Sequence, residues 1–450
     1  MDARLLLEPH LARLTAAPRL WVAFSGGRDS TVLLHALRSA LPAAPLAAIH
    51  VDHGLNPAAA RWADHCAELC AAWGVPLVVR RVAVAPGRGG LQQAARRARY
   101  QVFAELVGRD ELLLTAHHRD DQVETVLLRL LQGGGARALA GMPVERPLGR
   151  GRLLRPLLAQ EGARLAEYAR AHGLAWVEDP ANRDLSFERG FLRERLLPLL
   201  EERRPDVRRR ILAAARSLGE AVAVVEEVAA ADLAACGERA ERLGWSLDAA
   251  AFVALSAPRR RALIGHWPRR RGLPPPPEGA SAEVDALLAA RCDARPEVAW
   301  RGASLRRYRG RLYLLSPLPP PRPLPAVRLP PRPGEYPLPG GGRLRVAAGE
   351  GPGALRLPPD VPLEVVFRRG GERLQPAGRP GSAPLKKLFG EYGAEPWLRW
   401  CWPLVRVEGR WVAAVGLFTC APYQCAAGES GLLLSWEPAV DEHPRGPEGD

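Results

Sequence analysis

Six residues, Ser25-Gly26-Gly27-Arg28-Asp29-Ser30, stand between a short apolar run and a stretch with helical spacing. Adjacent glycines let the backbone bend until several N–H groups point at one place, and a helix starting there adds the positive end of its dipole. The hydroxyls of Ser25 and Ser30 can donate hydrogen bonds, and Asp29 can hold Mg²⁺. Residues of these types in this order suit the binding of a polyphosphate. The Gly-Lys-Ser/Thr ending of the Walker loop is missing. A Ser/Gly turn with a helix-capping aspartate is the plainer alternative. Two more groups carry chemistry. His50-Val51-Asp52-His53-Gly54-Leu55 joins imidazoles to a carboxylate that can contact nucleotide or fix neighbouring loops. His117, Asp121 and Glu124 are spaced i, i+4, i+7, which on a helix puts them on one face. Their oxygen-rich set suits Mg²⁺-ATP better than a permanent zinc.

The elements that must position these groups are legible in outline. Apolar runs at 19–24, 45–51, within 76–84 and at 111–116 read as strands. Helical stretches are expected near 30–41, 58–73, 90–107 and 121–131. Strands alternating with helices predict an α/β fold, a doubly wound parallel sheet of Rossmann-like type covered on both faces. In such a sheet the loops carrying Ser25–Ser30, His50–Leu55 and Ala116–His118 all leave the carboxyl ends of strands. Helices are expected at 160–172, 187–200 and 205–235. A helical and mixed middle domain over 211–330 follows this first domain, which spans 1–210. It has helices at 256–267 and 281–290 and a hairpin within 297–316 that turns at Arg309-Gly310. The proline-rich run 316–334 reads as an extended linker. A small β-rich domain over 335–437 comes next, and 438–450 reads as a disordered tail.

Composition excludes several classes. The 450 residues are 47% hydrophobic and 25% charged, which is globular rather than disordered. No stretch approaches the roughly 20 apolar residues of a membrane span. The first residues, MDARLLLEPHLARL, read as an amphipathic helix rather than a signal peptide. Seven cysteines form no disulfide framework, so a cytoplasmic protein is expected. The net charge is +14, of which residues 1–210 carry +8, 211–330 carry +6 and 331–450 carry none. Arginine clusters at 96–99, 208–210, 259–261, 269–271 and 306–309 could line a phosphate-binding face or be solvated products of arginine-biased composition. The 63 basic residues include only two lysines, Lys386 and Lys387, side by side.

The loop resembles the SGGxDS loop of the PP-loop ATP pyrophosphatases, which cleave ATP between the α and β phosphates. Further matches are more specific. SGGRDS, HVDHGL, AARRARY (94–100), LTAHHRDDQVET (114–125), RPLL (155–158), the run 177–200 and the run 370–405 together resemble the bacterial tRNA(Ile)-lysidine synthetases. Two departures are Gly190, where the family pattern has asparagine, and Asn56, where a basic residue is usual.

The resemblance implies a ligase that adenylates the wobble cytidine of the CAU-anticodon isoleucine tRNA with ATP and Mg²⁺. The ε-amine of free L-lysine then displaces AMP. Decoding changes from AUG to AUA, and tRNA identity from Met to Ile. It also implies ATP contacts from Ser25, Gly26, Gly27, Arg28, Asp29, Ser30, His50 and Asp52. Catalytic work would fall to Asp29, Arg99, His117 and Asp121. Arg96 and Arg97 would meet phosphate, Asp120 and Glu124 the lysine ammonium, and Lys386 and Lys387 the tRNA. A homodimer is a further partner state considered. Trp397, Trp400 and Trp402 could stack on bases, but core packing is the commoner use. The rival reading, thiolation by a PP-loop enzyme, wants CxxC clusters, and the chain has none. A non-catalytic RNA-binding protein with a relic loop is disfavoured by the intact loop.

Overall fold

In the computed structural model, the apolar runs of the first half of the chain form one sheet buried on both faces. The structure describes residues 2–439 except 55, 57, 85–89, 180–183, 278, 292–295, 341 and 359. The tail expected over 438–450 lies, from residue 440 onward, outside the described residues. The chain divides into two compact units, one ending at Val225 and the other starting at Glu226.

In the first unit the strands are β1 (Leu20–Ala23), β2 (Leu46–Asp52), β3 (Leu77–Arg81), β4 (Leu112–Leu114), β5 (Glu145–Leu148) and β6 (Gly151–Leu154). Their order is β3-β2-β1-β4-β6-β5. Five run parallel, and β5 returns antiparallel beside β6. The helices are α1 (Ala3–Leu7), α2 (Leu11–Thr15), α3 (Arg28–Ala40), α4 (Ala59–Trp73), α5 (Gly90–Leu106), α6 (Arg119–Leu131), α7 (Ala136–Leu139) and α8 (Gly162–Ala171). Side chains alternate along each strand and sort into two cores. Leu20, Val22, Leu112, Leu114 and Leu154 pack with Leu6 of α1, Leu33 and Leu37 of α3 and Leu165 of α8. Trp21, Ile49, Leu113 and Leu153 pack on the opposite face with Tyr100 and Phe103 of α5. The two-sided burial explains why the strands read as continuous apolar runs.

Three local features differ from expectation. The N-terminal amphipathic helix breaks into α1, a 3₁₀ turn at Glu8–His10 and α2, where Pro9 has no N–H to continue the ladder. The helix expected over 187–200 contains a π turn at Leu192–Leu196 followed by a helix at Leu197–Arg203. Pro198 supplies no donor there, and the Leu197 N–H reaches back to the Leu192 carbonyl. The β5–β6 hairpin was not expected at all. Its strands are only four residues each and meet at Gly149 (φ +55°).

A helix at Val207–Ala235 carries the chain into the second unit. There an antiparallel five-stranded sheet is covered by helices Ala249–Ala254, Ala257–Arg270 and Ala280–Ala289. Its hairpin, Ala303–Tyr308 with Arg311–Leu315, turns at Arg309 (φ +46°) and Gly310 (φ +74°). Two residues at positive φ give the turn that matches strand twist. Residues 327–437 form two further antiparallel sheets of five and three strands, a short strand pair, and a helix at Leu385–Glu391. The proline-rich run contributes Val327–Leu329 to the first of these sheets. Tyr313 and Leu315 share a core with Trp397, Trp402 and Leu404, so the middle and C-terminal parts pack as one body. Among the described residues no helix is long and apolar enough to cross a membrane.

Leu114 is fully buried at the centre of the first sheet, one residue before the site-bearing loop. Leu114→Ala should cost about 3 kcal/mol of stability, read as a lower urea midpoint. A loss below about 0.5 kcal/mol would show that β4 is not held by the core described.

Candidate active site

β1 is the strand at which the chain reverses direction across the sheet. From β1 it winds to β2 and β3 on one side, then returns to β4 on the other. Ligands bind outside the carboxyl ends of strands at such a point. The loop Ser25–Gly27 leaves β1 there. Gly26 sits at φ +78°, and a Cβ on it would lie 2.9 Å from Cys66 Sγ and 3.2 Å from Val177 Cγ2. The Val177 N–H donates to the Gly26 carbonyl at 2.9 Å. The loop is therefore clamped from two sides, and only glycine fits in angle and space. Gly27 is the N-cap of α3 and has no side chain to cap with, so an oxyanion is a natural acceptor for the first-turn N–H groups. Ser30 Oγ donates to the Gly27 carbonyl at 2.9 Å and lies 3.1 Å from Ser25 Oγ.

Across the gap, β4 ends in Thr115-Ala116-His117-His118. His118, not His117, starts the helix. It is the N-cap of α6 and forms a capping box with Asp121. His118 Nδ1 accepts the Asp120 N–H at 3.2 Å, and Asp121 Oδ2 accepts the His118 N–H at 2.9 Å. His117 thus precedes the helix, and the expected i, i+4, i+7 face is corrected to Asp121 and Glu124 alone. His117 is half-buried, and its Nδ1 lies 2.9 Å from Thr115 Oγ1. Burial, then Arg155, Arg96, Arg189 and Arg99, drive its pKa well down, so it stays neutral.

The two loops meet at His118 Nε2, which is 3.5 Å from Asp29 Oδ2 and 3.6 Å from Asp121 Oδ2. Burial alone would raise the Asp29 pKa. The bonds and charges of His118 and Arg28 outweigh it and hold the carboxylate ionised. Burial pulls His118 down, and Asp29, Asp121 and Asp120 more than reverse that. Farther along α6, Glu124 is 1% exposed. Arg193 grips it through Nε at 2.7 Å and Nη2 at 2.9 Å. Burial leaves the Glu124 pKa raised despite this partner. Asp120 accepts the Gly162 N–H at 3.1 Å and faces Arg208 at 3.3 Å.

These groups line a cleft of about 1250 Å³. Ser25, Gly27, Arg28, Asp29, Ser30, Asp52, His117, Asp120, Asp121 and Glu124 are on its wall, as are Arg99, Arg193 and Arg208. His50 also borders it, but its Nδ1 lies 2.9 Å from the Phe24 carbonyl and 3.5 Å from Cys66 Sγ, so it pins the start of the loop. Asp52 Oδ1 accepts the Gly54 N–H at 2.8 Å and closes the turn after β2. Arg97 is exposed and bonds Gln93 on its own helix. Arg96 lies 4.9 Å over the Tyr100 ring. Both departures from the family pattern have local partners. Asn56 Oδ1 accepts the Ala58 N–H. Gly190 is buried, and a Cβ there would lie 2.1 Å from the Asp184 carbonyl oxygen. Sequence reasoning did not single out His118 or Arg193 as site residues and placed Arg208 only in a basic cluster. The doublet His117-His118 gave no ground for choosing between its members, and Arg193 and Arg208 lie far from α6 in sequence.

Among the described residues no group of three or more His, Cys, Asp or Glu is placed to hold a metal alone. Mg²⁺ would fit Asp29 through the chemistry of the donor, an ionised carboxylate beside an anion-seeking helix end.

In the second unit Lys386 and Lys387 are exposed on the helix Leu385–Glu391, and Lys387 Nζ lies 3.8 Å from Glu391. Trp402 is fully buried and Trp397 nearly so, which removes both as stacking platforms for bases. Much of the arginine excess is tied down. Arg259 pairs with Asp232, Arg269 with Glu226 and Arg271 with Glu238. Arg309 donates to the Gly390 and Glu391 carbonyls.

A bare helix end facing an acid-rich one across the switch point defines a nucleotide-using α/β enzyme, and residues 4–200 match the model of the PP-loop domain. Residues 247–313 match the TilS substrate binding domain and residues 363–436 the TilS substrate C-terminal domain. The tRNA(Ile)-lysidine synthase of Alkalilimnicola ehrlichii is 44% identical over 437 residues, 94% of this chain and 95% of that one. The enzyme of the same name from Pseudomonas aeruginosa is 42% identical, covering 98% of each chain. That from Serratia proteamaculans is 37% identical over 96% of this chain and 98% of its own. The chain belongs to the tRNA(Ile)-lysidine synthase family and is an ATP-using ligase of the class that forms carbon–nitrogen bonds.

His117 supplies a pH test. Its folded pKa lies below the ordinary 6.5, so the unfolded chain takes up a proton there first as pH falls. Its contribution is complete above about pH 6.5 and lost on acidification, at up to about 1.4 kcal/mol per pH unit. His117→Gln should flatten the fall in urea-derived stability between about pH 7 and pH 5. An unchanged slope would mean that burial and the arginines do not hold His117 neutral in the fold.

Proposed function

We propose that the chain converts the wobble cytidine of the CAU-anticodon isoleucine tRNA to lysidine, in the cytoplasm, from ATP and free L-lysine. The cytosine carbonyl is a poor electrophile. Its oxygen attacks the α-phosphorus of ATP and expels pyrophosphate, which turns that oxygen into a leaving group. The lysine ε-nitrogen then attacks the same ring carbon, AMP departs with the oxygen, and the amine gives up a proton. The observation carrying this reading is the meeting of Asp29 and Asp121 at His118 within a cleft large enough for nucleotide and base together.

In this reading the Ser25–Ser30 loop and the first turn of α3 hold the β and γ phosphates, with Arg28 beside them. Asp29 would hold Mg²⁺, whose charge would offset that of the phosphates. Arg99 faces the charge that develops on the α-phosphate. His50 and Asp52 act from beneath, by fixing the loops the nucleotide touches. Asp120, Asp121 and Glu124 form an acidic wall for the lysine ammonium, Glu124 sharing its charge with Arg193. His117, held neutral, accepts hydrogen bonds from the base or the incoming amine. Alignment of three reactants supplies much of the rate.

Purified protein with ATP, Mg²⁺, the tRNA and labelled lysine should release AMP and pyrophosphate and yield a wobble nucleoside heavier by lysine less water. Asp29→Asn should lower pyrophosphate release by at least about a hundredfold while tRNA binding stays within about twofold. Label uptake from a sulfur donor instead of lysine would overturn the assignment. Lys386 and Lys387 are proposed to meet tRNA phosphates as compact point charges. The double change to arginine should weaken tRNA binding severalfold in filter binding. Unchanged affinity would remove the pair from the interface.

A further inference from the structure

His118 links the phosphate-loop segment to the acidic helix through Asp29, and its two ring nitrogens do different work. Nδ1 accepts the Asp120 N–H and caps α6. An accepting Nδ1 leaves the ring proton on Nε2. Nε2 points between Asp29 Oδ2 and Asp121 Oδ2, 3.5 and 3.6 Å away. The remaining oxygens of these carboxylates are turned elsewhere. Asp29 Oδ1 accepts Arg28 Nε at 2.9 Å, and Asp121 Oδ1 faces Arg193 at 3.9 Å. His118 itself is buried, with 8% of its side chain exposed. Both carboxylate oxygens thus face one ring nitrogen, and an N–H there attracts both and offsets their mutual repulsion.

We propose that His118 is a positioning residue that uses its Nε2–H to hold Asp29 and Asp121 side by side, joining the half-site for adenylation to the half-site for amine attack. In the histidine, the helix cap selects the tautomer that carries the proton on Nε2. At 3.5 Å the contact is long for a hydrogen bond, and it acts chiefly as the attraction of two carboxylates to one ring N–H. The proposal rests on the roles given above to Asp29 and Asp121.

Two substitutions separate the nitrogens. Asparagine places an acceptor near Nδ1 and suits an N-cap, but has nothing at Nε2. Glutamine reaches the position of Nε2 with a donor and loses the cap. His118→Asn should therefore melt within about 2 °C of the parent, yet release pyrophosphate at least about thirtyfold more slowly at saturating ATP. His118→Gln should melt several degrees lower and keep most of the turnover measured below its transition. The parent's pyrophosphate release is the control. If the parent releases none, the proposed function fails, and the roles of Asp29 and Asp121 with it. With an active parent, His118→Asn near parental turnover, or His118→Gln as slow as His118→Ala, overturns the bridge and leaves His118 as a cap alone.

Discussion

The site depends on a rule about helix beginnings: the first N–H groups of a helix need acceptors. Two helices begin side by side at the switch point, and the chain treats them in opposite ways. α3 starts at a glycine that offers no side-chain acceptor, so its end is suited to an external anion. α6 starts with a complete internal cap built from His118 and Asp121. One end is made to receive phosphate. The other satisfies itself and brings carboxylates to the gap. The surrounding parts, from Val177 above the loop to His50 beneath it, keep the open end in place.

How much of this was legible in the sequence follows from what sequence records. Strands buried on both faces leave continuous apolar runs, which made β1, β2 and β4 readable, while β3 at the border was read from the short run Leu77–Val79. β6 was missed because four residues after a glycine turn carry too little pattern. The phosphate loop was readable because its glycines and serines are adjacent. The reversal of roles between His117 and His118 was not readable. The helical period assumes that the helix has already started, and only the cap geometry shows that it starts one residue later. Arg193 could not be found by spacing either, since it reaches Glu124 from a segment 69 residues away.

The arginines teach a related lesson. Read as sequence, Arg259, Arg269 and Arg271 look like a basic face for nucleic acid. In the fold each meets a carboxylate from the stretch between Glu226 and Glu238. A paired guanidinium adds little long-range field, so the count of basic residues overstates what a polyanion would feel. At the cleft the balance differs. Arg96, Arg99, Arg155 and Arg189 all act on His117 in the same direction, and that local excess matters more than the net charge of the chain.

The hairpin at the sheet's border has a consequence for the protein in crowded solution. A wide sheet ends in two strands whose outer N–H and C=O groups can recruit another chain. Here one border strand, β5, contains Arg146 and Pro147, and proline has no N–H to offer. The other, β3, ends in the exposed pair Arg80 and Arg81, whose charges oppose stacking. Both margins of the first sheet thus carry a feature that opposes fibril-like growth, and a composition poor in lysine still supplies such gatekeepers.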